Sequence, residues 1–306
     1  MTPASLRLLE LARTLALHYR TLPSARASMV TGSVADGLSD FYSDVDMAVY
    51  HSELPGEEDL ASIRETLSGS AERRWLLGDR AKGTLIESFV VGGVECQVIH
   101  ATPEAVKEQI DSIVLEHQVV TPAHKAMSGL LKGVPLFGEA LLRSWKDCLA
   151  EFPEPLAEKM VRHYLNLNFF PIWGLTHQFT QRDATLFYQQ SLLEAAQNLL
   201  GVLSGLNRVY YTTFQFKRSR KFIEGLRLRP HNLYERLERL FDLDVEAAGR
   251  ELEDLVESTL ALLEEHMPQI DTQAARRRIG WRQQPWQLET LQQAIAGRPE
   301  GGVRVK

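Results

Sequence analysis

Apolar residues recur at helical spacing from the start of the chain: Leu8, Leu11, Leu15 and Tyr19, with Ala12 beside them, within Ser5 to Tyr19. That spacing predicts an amphipathic helix, with Pro23 just past its end. The period then changes to two. Ala27 to Thr31 reads as a first strand, Gly32-Ser33 as its exit, Ser33 to Ser39 as a short helix, and Asp44 to Tyr50 as a second strand. Side chains alternate along a strand, so Val45, Met47 and Val49 point into a core while Asp44 and Asp46 point away from it. Glu57 to Leu67 reads as a helix, because Pro55 suits its start and Glu57, Glu58 and Asp59 favour the positive end of its dipole. Thr84 to Val91, Gly92-Gly93 and Val94 to His100 read as a hairpin. In its second arm Val94, Cys96 and Val98 share one face, and Glu95, Gln97 and Ile99 share the other.

From Thr102 onward the pattern is helical. Thr102 caps a helix that runs from Pro103 to Val114, and Pro122 begins another. Glu151-Phe152-Pro153-Glu154-Pro155 interrupts the periodicity, which places a domain boundary near Cys148 to Pro155. The predicted units are residues 1–150 and 151–306. In the second, Leu156 to Phe170, Ala184 to Leu203, Asn207 to Phe216, Leu233 to Phe241 and Val245 to Met267 all carry helical spacing. The expectation is an α+β domain followed by an all-helical bundle, with four long helices and shorter pieces around them. The end of the chain, Arg276 to Lys306, is basic, carries Trp281 and Trp286, and is expected to fray where Gly and Pro accumulate.

Composition narrows the function classes. Of the 306 residues, 44% are hydrophobic and 24% charged, the balance of a folded globular chain. The net charge of −6 argues against a polyanion partner for the whole molecule but leaves room for a local basic groove holding one nucleotide. Arg276-Arg277-Arg278 near the tryptophans is read as a surface helix rather than a nucleic-acid site. Cys96 and Cys148 are too few for a disulfide framework or a cysteine zinc site, and both are expected to be buried and reduced, as in a cytoplasmic protein. No leader and no transmembrane stretch is expected, and the nine histidines show no zinc-ligand spacing.

The chemistry concentrates between Met29 and Tyr50. Asp44 and Asp46 project from one strand face and can share a metal. Upstream, Gly32 allows a ligand close to the backbone, Ser33 offers a hydroxyl, and a helix starting there would aim N–H groups at an anion. A phosphate and a divalent cation would then lie side by side. Glu95 is an acid in a largely apolar strand, where a buried carboxylate is costly unless paired or metal-bound, and it can be a third carboxylate. Asp40 reads as a turn or cap residue.

Gly32-Ser33, the ten residues 34 to 43, and Asp44-Val45-Asp46 together resemble the signature of the DNA polymerase beta-type nucleotidyltransferases. The form GSxxxGxxxxxSDxD is most similar to the small bacterial branch that includes aminoglycoside and lincosamide nucleotidyltransferases. The resemblance implies a nucleotidyltransferase fold: a short mixed sheet flanked by helices, then a helical domain forming the other wall of a cleft. Leu130 to Gly138 (LLKGVPLFG) resembles the segment that closes the catalytic domain in that branch. The family resemblance also implies that Asp44, Asp46 and Glu95 are catalytic and bind Mg²⁺, with Glu95 a metal ligand or general base and Glu87 of the first hairpin arm its rival, and that Gly32 and Ser33 hold the β- and γ-phosphates. Asn207-Arg208-Val209-Tyr210 followed by Lys217 resembles a segment whose Lys faces the nucleotide phosphates, so Lys217 is a nucleotide-binding candidate. Thr212 to Phe216 lacks the Pro or Gly expected before that Lys.

The activity implied is Mg²⁺-dependent transfer of a nucleoside monophosphate, AMP from ATP first, to a hydroxyl of a small molecule such as an antibiotic, with release of pyrophosphate. Two metal ions about 3.5–4 Å apart can clamp the attacking and leaving oxygens of such a reaction. The alternatives are transfer to a protein or tRNA, as in related toxin–antitoxin enzymes, and a non-catalytic nucleotide- or partner-binding protein. Membrane and nucleic-acid partners are not expected, and the helical bundle is a candidate homodimer surface.

Overall fold

In the computed structural model, which describes residues 1–166, 172–213 and 219–296, the first half of the chain builds one six-stranded mixed sheet. Its elements in order are α1 (Pro3–Tyr19), β1 (Ala25–Val30), α2 (Gly32–Ala35), β2 (Val45–His51), α3 (Glu57–Ser68), β3 (Trp75–Asp79), β4 (Thr84–Val91), β5 (Val94–Ala101), α4 (Pro103–Val114), α5 (Ala123–Lys132), β6 (Val134–Phe137) and α6 (Glu139–Ala150). The strand order is β3-β4-β5-β2-β1-β6. The β2–β5 pair is parallel, and every other pair is antiparallel. Thr2 caps α1 through its side chain, and Gly69, in the left-handed conformation that Gly adopts without strain, ends α3.

The alternation of β2 and β5 sets the two faces of the sheet. Val45, Met47 and Val49, with Cys96 and Val98, pack with Leu85 and Phe89 of β4 against Leu8, Ala12, Leu15 and Tyr19 of α1 and Leu60 and Ile63 of α3. On the opposite face, Tyr50 meets Trp145 of α6 edge to face at 4.8 Å. Beside β5 that opposite face is only partly covered: Ile99 is 39% exposed and Leu77 of β3 is 61% exposed.

The remaining elements are α7 (Glu154–Asn166), a 3₁₀ turn at Ile172–Gly174, α8 (Thr176–Gln181), α9 (Thr185–Leu206), α10 (Ser219–Glu224), α11 (Leu233–Arg239), α12 (Val245–His266), α13 (Gln273–Arg276) and α14 (Leu288–Ala296). Beyond α6, every regular element among the described residues is helical, so the α+β domain with an all-helical continuation is the observed architecture. Among the described residues its longest helices are α9 and α12, each of 22 residues. Among the described residues no helix is long and apolar enough to cross a membrane.

Packing divides the chain into Met1–Tyr164 with Leu200–Leu228, and Leu165–Leu199 with Arg229–Lys306, where the sequence suggested one cut near residue 150. In the first unit Tyr210 donates its hydroxyl to the Leu149 carbonyl at 3.2 Å, and Arg208 pairs with Glu154. In the second, Trp173 donates its indole N–H to the Arg278 carbonyl at 3.0 Å and lies against Gly249 of α12. Arg276 pairs with Glu264 and Glu257, so α13 is a surface turn with its charge already matched.

Two expectations are corrected. The helix predicted to begin at Asn207 does not form over Asn207 to Thr212. Asn207 instead donates its side-chain amide to the Leu203 and Leu228 carbonyls and accepts from the Leu228 N–H. Arg208 turns left-handed, and Val209 closes back on Ser204 at 2.9 Å. The chain then continues without regular structure to Thr212, and Tyr210 and Tyr211 are buried. Cys148 is exposed, because α6 buries Leu142, Trp145 and Leu149 and turns Cys148 to the other side; Cys96 is buried as expected. The frayed end predicted after Ala296 lies outside the described residues.

Candidate active site

Gly32 leaves β1 in the left-handed region, at φ 61°, and Asp46 of β2 lies directly against it. A Cβ placed on Gly32 would collide with the Asp46 carboxylate. The approach is fixed by the strand pairing: Val30 stands opposite Met47, and the Thr31 N–H donates to the Asp46 carbonyl at 2.8 Å. Glycine is therefore required twice, for the conformation and for the space. Ser33 follows on a single turn of helix and shares a hydrogen bond at 3.1 Å with Ser39. Ser39 is held in turn by Ser5 and Thr2 at the start of α1.

Asp44 and Asp46 flank Val45, whose side chain is fully buried on the α1 side, so both acids belong to the other face. Both are half-buried. Asp44 accepts a hydrogen bond at 2.9 Å from the side-chain amide of Gln97, which arrives on the parallel neighbour β5 opposite Asp46. Gln97 was not singled out by the sequence; the available signal was its position on the polar face of β5.

Glu95 lies on that same face of β5 but is turned toward β3 and β4. Its carboxylate accepts from the Ser88 hydroxyl at 2.5 Å, the Trp75 indole at 3.1 Å and Arg74 at 3.1 Å. The Ser88 bond first, then Trp75 and the Arg74 charge, outweigh partial burial and hold its pKa below the usual carboxylate range. Glu87, the rival, stands on the opposite side of the sheet, opposite Val98 of β5, and is completely buried. There it pairs with Arg64 of α3 and accepts from the Tyr19 hydroxyl, 3.3 Å away, and it lies 3.3 Å from His100 Nε2. The sheet itself separates it from Asp44 and Asp46.

Lys217 lies outside the described residues. Four residues later, Lys221 of α10 reaches the α2 turn, where its ammonium donates to Asp36 through the carboxylate at 3.1 Å and the carbonyl at 3.3 Å. A lysine of the basic segment thus pairs with Asp36, which follows Gly32 by four residues. Asp40, between α2 and β2, organises its loop as the sequence suggested, accepting from the Tyr42 N–H at 2.9 Å and the Ser43 hydroxyl at 3.0 Å.

Among the described residues no group of three or more His, Cys, Asp or Glu side chains could hold a metal ion. The pair Asp44 and Asp46 supplies two hard oxygen donors, which does not make a closed all-protein cage. It does fit Mg²⁺, which is commonly bound by one or two carboxylates and completed by water and substrate phosphate oxygens.

No protein-family model matches the chain, and no curated protein matches it. Among solved structures, the chain is similar to a nucleotidyltransferase-like protein from Exiguobacterium sibiricum, at 16% identity and a TM-score of 0.38, over 92% of this chain and 82% of that one. It is also similar to a CCA-adding enzyme in complex with CTP, at 13% identity and a TM-score of 0.27, over 97% of this chain and 82% of that one.

Proposed function

We propose that the protein is a Mg²⁺-dependent nucleotidyltransferase that moves a nucleoside monophosphate, AMP from ATP in the first instance, to an acceptor hydroxyl and releases pyrophosphate. The observation that carries this reading is the contact of the Gly32 backbone with the Asp46 carboxylate, with Asp44 on the same sheet face. A phosphate admitted by the bare glycine backbone would lie beside two carboxylates, and a triphosphate needs a cation at that point.

Asp44 and Asp46 would hold Mg²⁺, which when bound offsets phosphate charge and polarises the transferred phosphoryl group. Gln97, donating to one Asp44 oxygen, orients that carboxylate and leaves its other oxygen for a ligand. Ser33 contributes a hydroxyl to the phosphate side. Lys221 would exchange its pairing with Asp36 for the charge of the triphosphate, a role the sequence reading gave to Lys217. Glu95 is better suited to positioning than to general base catalysis, because three donors already occupy it and its pKa is depressed.

Calorimetric titration of ATP, GTP, CTP and UTP with and without Mg²⁺ tests the reading. The expected result is metal-dependent binding of one nucleotide by the wild type and none by the Asp44→Asn/Asp46→Asn variant. Binding that is indifferent to metal and to both substitutions would overturn it.

A further inference from the structure

We propose that the acceptor of the transfer is an apolar molecule carrying its hydroxyl at one end, laid along a strip of Leu77, Ile86 and Ile99 beside the carboxylate pair. The inference rests on the nucleotidyl-transfer reading above and names the substrate class for it.

Strand register sorts the side chains of the carboxylate face into rows across the sheet. Asp46, Gln97, Ser88 and Trp75 stand opposite one another on β2, β5, β4 and β3. Two residues further along, the row is Ala48, Ile99, Ile86 and Leu77, and it is apolar throughout. Ala48 is buried, but from β5 outward the row opens to solvent: Ile99 is 39% exposed, Ile86 is half-buried and Leu77 is 61% exposed. The spacing of strands makes this strip about 10 Å long, and the rise along a strand sets it about 7 Å from the row of Asp46. Trp75, in the row between, is fixed by the hydrogen bond from its indole N–H to Glu95 at 3.1 Å.

The direction of attack says what occupies the strip. In an in-line displacement the attacking and leaving oxygens lie on opposite sides of the α-phosphorus. Gly32 and Ser33, on the phosphate side, follow β1, which flanks β2 on one side, and β5, β4 and β3 lie on the other. With the leaving pyrophosphate at Gly32, the nucleophile arrives from β5, and the body of the acceptor extends over β5, β4 and β3. The polar side chains there are already engaged: Gln97 donates to Asp44, and Glu95 accepts from Ser88, Trp75 and Arg74. Beyond its hydroxyl, the acceptor therefore meets apolar surface. In the transfer the acceptor oxygen attacks the α-phosphorus and a new O–P bond forms. The bond from the α-phosphorus to the oxygen bridging it to the β-phosphorus breaks, its electron pair leaves with pyrophosphate, and the hydroxyl proton passes to water.

The test uses the full chain, Mg²⁺ and the four nucleoside triphosphates labelled at the α-phosphate. The probes are the straight-chain primary alcohols from 1-butanol to 1-decanol, with glycerol and glucose as polar comparisons. The expected result is labelled alcohol, with kcat/KM rising about twofold per added methylene, half on a logarithmic scale of the roughly fourfold that full burial would give. Leu77→Thr/Ile99→Thr keeps strand-forming side chains at both positions and should cut that slope by half or more, while its unfolding midpoint barely moves. Transfer to glycerol or glucose as fast as to 1-decanol, a slope the double variant retains, an equal loss for every alcohol, or no transfer to any alcohol overturns the inference. In each of these cases metal-dependent nucleotide binding by the wild type leaves the transferase reading standing, and its absence removes both.

Discussion

The two faces of the central sheet both carry carboxylates and treat them in opposite ways. Under α1 and α3, Glu87 is fully enclosed and matched by Arg64, Tyr19 and His100; His100 continues to His51 at 3.1 Å and His51 to Ser24 at 3.2 Å. Burial disfavours the Arg64 charge, but the hydrogen bond that Arg64 donates to Glu57 and the charge of Glu87 outweigh it and raise the Arg64 pKa. Burial first, then Glu87, raises that of Tyr19. Every partner is supplied by the chain, so the arrangement is closed to a ligand. On the other face Asp44 has one neutral donor, Gln97, and Asp46 faces a residue without a side chain. A carboxylate becomes chemically useful when the fold orients it through a neutral donor, as Gln97 does Asp44, and Glu95 marks the intermediate case, held by Ser88, Trp75 and Arg74 at the edge of the open face.

The sharpest way to break this contrast is Asp46→Asn, which removes a charge at nearly constant volume. Metal-dependent nucleotide binding should fall by more than about a hundredfold while the unfolding midpoint barely moves; a normal titration would sink the assignment. Glu87→Gln should do the reverse. It removes the one fully buried carboxylate that faces Arg64, which keeps only the half-exposed Glu57 as a counter-charge, so denaturant unfolding should report a loss of about 3 kcal/mol, and the folded fraction should still bind nucleotide. An unchanged midpoint would mean that the enclosed pair is not structural.

A pH series sharpens the same contrast. Burial first, then the neighbouring His100 and Arg26, lower the pKa of His51 to about 3. The unfolded chain therefore binds a proton that the native chain refuses between about pH 6.5 and pH 3, and stability falls as pH drops through that window, by up to about 1.4 kcal/mol per pH unit for one proton. His51→Gln should flatten that slope in urea titrations. The smallest expected effect is Glu95→Gln, which should change metal-dependent nucleotide affinity by less than about tenfold, the low end for a residue acting through neighbours. Loss comparable to that of Asp46→Asn would return Glu95 to the metal site.

The legible parts of the molecule are those in which one element carries the whole message. The period-two run from Asp44 to Tyr50 puts its acids on one face by geometry alone, and the Gly92-Gly93 hairpin is a local signal. What escaped is assembled from distant residues. β3 is five residues long, with charged neighbours on both sides, and finds its place only through β4. The Glu87 cluster draws on α1, β2, α3, β4 and β5, so Tyr19 read alone as part of an apolar stripe and Glu87 as a rival catalytic acid, with nothing local to join them. Asn207 carries helical neighbours, yet its side chain bonds backbone on either side of a turn, including Leu228, 21 residues on. The choice between Glu95 and Gln97 as the neighbour of Asp44 depended on strand register, which the alternation of β5 leaves open.

The parallel pairing of β2 with β5 also bears on the order of folding. Gln97 reaches Asp44 across 53 positions of chain, with α3, β3 and β4 lying between the two strands. Contacts of such sequence separation reward the chain only after the intervening loop has been closed, which makes them late in folding. The half of the site on β1, α2 and β2 can gather early, from neighbours in sequence. Its completion by β5 waits for that loop to close, so the Gln97–Asp44 contact comes later than the β1–β2 half of the site.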